Sequence, residues 1–452
     1  MSETATQTKV STRLGELRAA LESGTLRHVR RMLNSMHPAE IASLLESLPP
    51  PEREIVWELV DPDDDGEVLL HVNDEVRSGL IRGMDAEELL AATDGLEIDD
   101  LADLFADLPE TVTRQLLRSM DQQNRERLQA VLSYPEDTAG GLMNVDTVTV
   151  RPDVTLDVVL RYLRMRDDMP QDTDTLFVVN RYGRLLGTLR ITKLLTSDPD
   201  LTVADVMDRD VEGIPADTPA AEVAKLFEDR DLVSAPVVDE KGVLLGRITI
   251  DDVVDVIREQ ADHTVLSLSG LDEEEDIFAG VWRTVRNRSH WIAINLVTAF
   301  IASRVIGLFE GSIERLVALA SLMPIIAGIG GNTGNQTVTL IVRALALGRI
   351  SRENARELFL REIGVSLVNG VIWGSLLGVV TFALYGNPAL GVVMMAAMVL
   401  NLLLAACAGV FIPLIRQRLG RDPAQGSSVM ITAITDTGGF FIFLGLATLF
   451  LL

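Results

Sequence analysis

SSVMITAITDTGGFFIFLGLATLFLL, residues 427–452, is apolar over its whole length except for one acid, Asp436, set in T-D-T-G-G. A bilayer-spanning helix needs about 20 predominantly apolar residues, so this run is long enough to cross. A carboxylate at membrane depth costs roughly 2.5–3.5 kcal/mol on insertion scales, and acids placed there face water-filled or protein-lined space and meet a cation. Two blander readings compete: a charge that snorkels to the interface, or a protonated acid hydrogen-bonded to a neighbouring helix. Asp436 lies about ten residues into the run, too deep for so short a side chain to snorkel.

Working outward, four further runs of similar length precede it, at about 291–309, 316–342, 358–384 and 389–415, which makes five expected crossings. Arginine placement orients them. Arg283, Arg286 and Arg288 precede the first crossing. Arg343, Arg349, Arg352, Arg356 and Arg361 lie between the second and third, and Arg416, Arg418 and Arg421 between the fourth and fifth. The alternate loops are poor in positive charge, so the basic loops are expected in the cytoplasm and the C-terminus outside. The second crossing reads MPIIAGIGGNTGNQTVTL, with Pro324 and Gly328, Gly330, Gly331 and Gly334 among Asn332, Asn335 and Gln336. Such a sequence is expected to loosen the helix and line a cavity; close packing through small residues is the alternative. Amide, carboxylate and carbonyl oxygens without His or Cys favour a hard cation such as Mg²⁺ or Ca²⁺. Magnesium keeps most of its waters and is held by one or two carboxylates, so a C2 dimer presenting two Asp436 side chains is a plausible host.

The 452-residue chain is too long for one ordinary domain, and its net charge of −26 is unevenly spread. From Val281 onward there are 13 Arg, no Lys and 7 Asp or Glu, a net +6 that leaves −32 on the preceding residues. So acidic a half repels nucleic acid and attracts cations, though solubility alone also explains it. The single cysteine, Cys407, lies in an apolar run and rules out an intramolecular disulfide. The first residues, MSETATQTKVSTRLGELRAAL, have no apolar core to act as a signal peptide, which predicts a cytoplasmic acidic half.

Apolar spacing of three and four predicts helices from about 14 to 133. AEIASLLESLP ending at Pro49 and DDLADLFADLP ending at Pro109 repeat at an offset of 60, each followed by a second helix, which suggests a small α-solenoid. Asp61-Pro-Asp63-Asp-Asp65-Gly66 matches the start of an EF-hand loop, but Val72 stands where a bidentate Glu is needed, so an acidic turn is expected. A second duplication follows. DTLFVVNRYGRLLGTLRITKLL (174–195) matches SAPVVDEKGVLLGRITIDDVV (234–254), with Val179 and Val238, and Gly187 and Gly246, 59 apart. Each copy reads strand, helix, strand, turn, strand, helix, and the pair resembles tandem CBS domains. In that family a Thr or Ser and an Asp after the glycine contact nucleotide. The second copy has Thr249 and Asp252 there, whereas the first has Arg190 and Lys193 and lacks the acid. Thr249 and Asp252 are equally a good helix N-cap. Asp252, Asp255 and Glu259 then fall on one face of an acidic helix, either a solvated stripe or a coupling element to the membrane half.

Taken together, the DDLADL helix, Tyr134-Pro-Glu-Asp-Thr-Ala-Gly140, GGNTGNQ at 330–336 and ITDTGGFFIFLG at 434–445 resemble MgtE-type magnesium channels over nearly the whole chain. The resemblance implies a multidomain membrane protein. Its parts are an α-helical N-terminal superhelix (1–133), an α/β tandem CBS pair (134–258), a connecting plug helix and linker (259–284) and an all-α five-helix transmembrane domain (285–452). It further implies a homodimer in the cytoplasmic membrane whose conduction site uses Asp436, Asn332 and backbone oxygens near Gly328 and Thr432. Closure by cytosolic Mg²⁺ falls, motif by motif, on Asp99, Asp103, Asp231, Asp252 and Asp255, with Asp422 within reach of the plug helix. Gln260 and His263 stand where the family carries acids, which weakens the plug-helix part of that metal set. ATP at the CBS pair is implied only for the Thr249 and Asp252 half. No Walker-type loop or nucleophile–base signature points to an enzyme. The competing functional readings are a cation-coupled exchanger in which Asp436 titrates, and a membrane-anchored sensor that transports nothing.

Overall fold

The computed structural model describes residues 15, 26–105, 107–166, 169–170, 172–271, 276–350 and 354–452. Most of the expected first helical turns (16–25), the acids at 272–275 and Arg352 lie outside the described residues. The chain divides into two compact units, one formed by residues 1–260 and 276–279, the other by 261–275 and 280–452.

Short helices build the first part of unit one: α1 (Leu26–Leu33), α2 (Pro38–Glu46), α3 (Pro50–Trp57), α4 (Asp65–His71), α5 (Asp74–Gly83), α6 (Ala86–Ala92), α7 (Ile98–Phe105), α8 (Glu110–Ser119) and α9 (Gln122–Val131). Helices of two or three turns are not stable alone in water, so each depends on stacking its apolar stripe against the next. Leu44, Leu45, Leu48, Val56, Leu69, Leu101, Leu104 and Leu116 are all buried in that stack. The repeat seen in the sequence is structural. Pro49 and Pro109 are the N-caps of α3 and α8, in extended backbone at φ −60° and −59°, where a missing N–H costs nothing. Asp85 and Glu88 form a reciprocal capping box on α6. The Asp61–Asp64 stretch is an acidic turn running into α4, and Val72 caps that helix, so no calcium loop forms.

Arg53 is the buried cation of this stack. Its Nε donates to the Leu45 carbonyl (2.9 Å), one Nη to Leu48 (3.0 Å), and the other pairs with Asp276 at 2.8 Å. The Asp276 amide in turn donates to Glu75 (2.8 Å), which explains why 276–279 belong to this unit.

The CBS pair follows as two matching halves: β1 (Thr149–Val150), α10 (Leu156–Arg164), β2 (Thr175–Val179), β3 (Leu185–Arg190) and α11 (Ile191–Thr196), then α12 (Val203–Val206), β4 (Ile214–Pro215), α13 (Ala220–Arg230), β5 (Ser234–Val238), β6 (Leu244–Thr249) and α14 (Ile250–Leu268). Each sheet has a parallel then an antiparallel pairing, in orders β1-β2-β3 and β4-β5-β6, with a bulge at Val178/Val179 and at Val237/Val238. The duplicated turns are chemically alike. Asn180 Oδ1 accepts from the amides of Tyr182 and Arg184, and Asp239 Oδ1 from those of Lys241 and Val243. Gly183 and Gly242 close these turns at φ 76° and 75°, backbone that favours glycine. The two hairpins bond to each other, Leu185 N to Gly242 O and Leu244 N to Gly183 O.

Unit two holds α15 (Val281–Gly307), α16 (Glu310–Arg315), α17 (Ala318–Ala346), α18 (Ala355–Tyr385), α19 (Pro388–Arg418) and α20 (Ser427–Leu451). Among the described residues α15, α18, α19 and α20 are long and apolar enough to cross a membrane. At 29 residues α17 is as long, but its Gly- and amide-rich centre makes it less apolar. That centre was expected to be irregular; instead α17 is helical throughout. Pro324 sits near its start, where it costs a single backbone bond, and the glycines are held by neighbours. A Cβ at Gly330 would collide with Asn401 and one at Gly334 with Ile431, so close packing accounts for these two, while Gly331 lies in ordinary contact with Thr435. A second small-residue stripe, Gly370, Gly374 and Gly378 on α18, lies against Val399, Met395 and Gly391 of α19.

Candidate cation sites

In unit two, α17 and α20 pack through Gly331 against Thr435 and Gly334 against Ile431. The residues singled out for conduction flank this contact. Asp436 follows Thr435 and is half-buried, while Asn332, Gly328 and Thr432 are exposed. A Cβ at Gly328 would meet nothing within 4 Å, so this glycine, unlike its neighbours, faces open space. Ser321, Gly328, Asn332, Gln336 and Thr339 recur at helical spacing along one uncovered face of α17. Polar groups in lipid are costly, so such a face requires cover or water.

Two buried polar side chains on the other sides of this bundle escaped the sequence reading. Asn401 of α19 is fully buried and donates to the Ile326 carbonyl at 2.9 Å. Glu362 of α18 is 8% exposed and accepts from Thr337 Oγ1 at 3.3 Å. Both sit in apolar runs, and only knowledge of which helix faces which could have marked them.

In unit one the structure brings Asp99 of α7 to Asp252 at the start of α14 and adds Glu97, Asp100 and Asp251, which sequence reasoning missed, while Asp103 stands beside Asp100, Glu136 and Glu259 instead of Asp252. Burial, reinforced by Asp100 and Glu97, pushes the Asp99 carboxyl up to about 8. Burial and then Asp99 and Asp251 push Asp252 up to about 9, and burial with Asp100 raises Asp103 to about 7 against the pull of Arg77. Asp100 rises to about 6, from burial and then Glu97. Asp99, Asp100 and Asp252 are carboxylates kept too close and too dry to remain all charged without a cation, whereas the Asp103 side chain is exposed to solvent. Among the described residues, no three His, Cys, Asp or Glu side chains converge tightly enough to hold a metal ion on their own.

The other sequence candidates stand apart. Asp231 is exposed at the end of α13 in left-handed backbone (φ 51°), and Asp255 is exposed on α14. Asp422 belongs to unit two, where its carboxylate accepts from the amides of Ala424 (2.9 Å) and Gln425 (2.8 Å). His263 Nε2 reaches it at 3.5 Å, and the Gly426 amide donates to Ser267 O at 2.9 Å, so the end of α14 is pinned to the α19–α20 loop. Thr249 and Asp252 bond to each other, Oγ1 to Oδ2 at 3.3 Å, with Thr249 buried; this is the helix-start cap that the residues were also suited to form.

An acidic helical domain, a CBS pair and a multi-pass bundle of apolar helices carrying an acid, Asp436, deep in its last helix define a membrane transport protein with an attached α/β module. Comparison with known proteins agrees. Residues 36–137 match the MgtE intracellular N domain, 139–199 and 203–259 match CBS domains, and 323–446 match MgtE, described as a divalent cation transporter. The chain is 34% identical over 441 residues to the magnesium transporter MgtE of Thermus thermophilus, covering 96% of this chain and 98% of that protein. It is 29% identical over 433 residues to the Bacillus subtilis magnesium transporter MgtE, covering 95% and 96%. A solved cytosolic domain of the Mg²⁺ channel MgtE in complex with ATP is similar at 34% identity, covering 54% of this chain and 99% of that one, with a TM-score of 0.49. The chain belongs to the MgtE family of magnesium transporters.

Proposed function

We propose that this chain is a Mg²⁺-selective channel for Mg²⁺ uptake across the cytoplasmic membrane, working as a homodimer and closed by Mg²⁺ bound to its acidic cytoplasmic domains. The observation that carries the conduction part is the uncovered polar face of α17 and α20. Gly328, Asn332 and Thr432 are exposed and Asp436 is half-buried in helices that otherwise show lipid apolar side chains. A second copy across a twofold axis would cover that face and supply a second Asp436, and a hydrated Mg²⁺ held by two carboxylates and surrounding carbonyl and amide oxygens suits magnesium's reluctance to shed water. The basic loops orient the N-terminal units to the cytoplasm and the C-terminus outside.

For closure, the support is the strained acid cluster. Asp99 and Asp251 oppose ionisation of Asp252, Asp100 opposes that of Asp99 and Asp103, and a divalent ion beside these carboxylates would turn repulsion into attraction. Asp231, Asp255 and Asp422 would complete bridging sites with the partner copy and the plug helix α14. Direct contact of His263 with Asp422 substitutes part of that bridging here. ATP binding would require the Thr249–Asp252 cap to open towards a nucleotide. The test is electrical: proteoliposome currents that reverse at the Mg²⁺ equilibrium potential without proton or Na⁺ movement are expected. Stoichiometric counter-ion flux would establish the cation-coupled exchanger instead.

A further inference from the structure

Asn401 is fully buried in the membrane unit, at 0% exposure like Ser427 and Thr435, and nothing in the conduction scheme uses it. It sits on α19 between the two helices that carry the conduction residues. On one side its amide fills the notch left by Gly330 of α17, where a Cβ would collide with Nδ2. On the other it fills the notch at Gly439 of α20, where a Cβ would stand 2.9 Å from Nδ2 and 3.1 Å from Oδ1. Its Nδ2 donates to the Ile326 carbonyl at 2.9 Å, while Oδ1 is buried without a hydrogen-bond donor among the described residues.

The heights matter. Gly330 lies between Gly328 and Asn332 in the chain, and Gly439 is three residues beyond Asp436, about one helical turn at ~1.5 Å per residue. The wedge therefore acts at the level of the conduction residues. Stability alone does not explain an amide here, because an apolar side chain of the same size would avoid burying an unpaired carbonyl oxygen in a dry bundle. The planar amide does what Leu cannot: it fits flat between two glycines and is fixed in rotation by the Ile326 carbonyl.

We infer that Asn401 is a positioning residue that sets the spacing of the Asn332- and Asp436-bearing helices, and through it the discrimination between Mg²⁺ and the larger Ca²⁺. This rests on the conduction reading above. A hydrated ion is recognised by oxygens at set separations, and displacements of ~1 Å at such a site cost up to about a hundredfold. The residue touches no ion; it acts through the two helices it separates.

The test uses the full-length protein in proteoliposomes, with Mg²⁺ and Ca²⁺ influx and thermal unfolding read side by side. Asn401→Leu is expected to fold but to lose about tenfold or more of its saturating Mg²⁺ influx and most of its preference over Ca²⁺, a smaller cost than the full misplacement limit. Should that variant fail to fold, Gly439→Ala presses a single methyl onto the same amide and is expected to lower influx and preference likewise. Asn401→Ala combined with Gly439→Ala is expected to recover much of what Gly439→Ala alone loses, since the methyl enters the room the amide leaves. Wild-type influx and selectivity in Asn401→Leu, or strictly additive losses in the double variant, would overturn the proposal. Asp436→Ala separates the two layers. Wild-type flux in it would remove the conduction reading itself, whereas a dead Asp436→Ala beside an unaffected Asn401→Leu would remove only the spacer.

Discussion

The acids around α7 and the start of α14 are crowded, and those carried by α18 and α20 stand apart from other acids. Around α7 and the start of α14, burial and then neighbouring acids push the carboxyls of Asp99, Asp100, Asp103 and Asp252 upward. In the membrane unit Glu362 accepts from the Thr337 hydroxyl, Asp422 meets amides and a histidine, and Asp436 is the one acid in the sequence of its helix. Crowding stores repulsion that a divalent ion can release, which makes a switch. Solitude gives a passing hydrated ion one carboxylate per chain, enough to attract it and too little to trap it. The same residue type thus does opposite work through its neighbours.

The contrast breaks most visibly at the solitary end. Asp436→Ala is expected to abolish Mg²⁺ influx, by about a hundredfold or more, because removing several kcal/mol of ion attraction costs tenfold per ~1.4 kcal/mol. Unchanged thermal unfolding in that variant would show that the acid serves the ion and not the fold. Next comes a buried acid of unit one that is paired with an equally buried cation. Arg53→Ala strands the buried Asp276 and frees the Leu45 and Leu48 carbonyls, so a loss of about 3–5 kcal/mol is expected in denaturant unfolding of unit one. A loss under 1 kcal/mol would mean that the pair is solvated.

The crowded acids sharpen the comparison through pH. With folded-state values of about 7, 8 and 9 for Asp103, Asp99 and Asp252, the folded protein binds protons that the unfolded chain has already lost. The added stability is fully present below about pH 4, the unfolded carboxylate range, and drains away as pH rises towards about 9. Metal-free protein is therefore expected to melt at lower temperature at pH 9 than at pH 6, and Mg²⁺ to restore more at the higher pH. Melting that rises with pH in chelator would show these carboxyls are not strained. The smallest effect belongs to the hairpin turns: Gly242→Ala forces a side chain to φ 75° and should cost about 1 kcal/mol by thermal unfolding.

How much of this was readable beforehand depends on the distance over which each feature is encoded. The two duplications, the proline-capped helix pairs and the hairpin turns are local, so spacing alone revealed them. The long apolar runs announced the membrane helices for the same reason. The continuous helix of α17 was misjudged because proline and glycine were read as loosening, whereas Asn401 and Ile431 from other helices hold Gly330 and Gly334 in place. Arg53 and Asp276 meet across 223 positions, and Asn401 reads as one amide in NLLLAA until Gly330 and Gly439 close on it. The acid cluster was half seen. Asp99, Asp103 and Asp252 were carried by resemblance, while Asp100, Glu97 and Asp251 became visible only when α7 and α14 were brought together.

The most direct measurement is Mg²⁺ influx into proteoliposomes with lumenal Mg²⁺ raised stepwise on the side of the acidic domains, for wild type and for Asp252→Asn combined with Asp255→Asn. Wild type is expected to conduct at low lumenal Mg²⁺ and shut as it rises, while the double variant goes on conducting. Influx indifferent to lumenal Mg²⁺ in wild type, or identical closure in both proteins, would contradict a crowded switch acting on a solitary conduction acid.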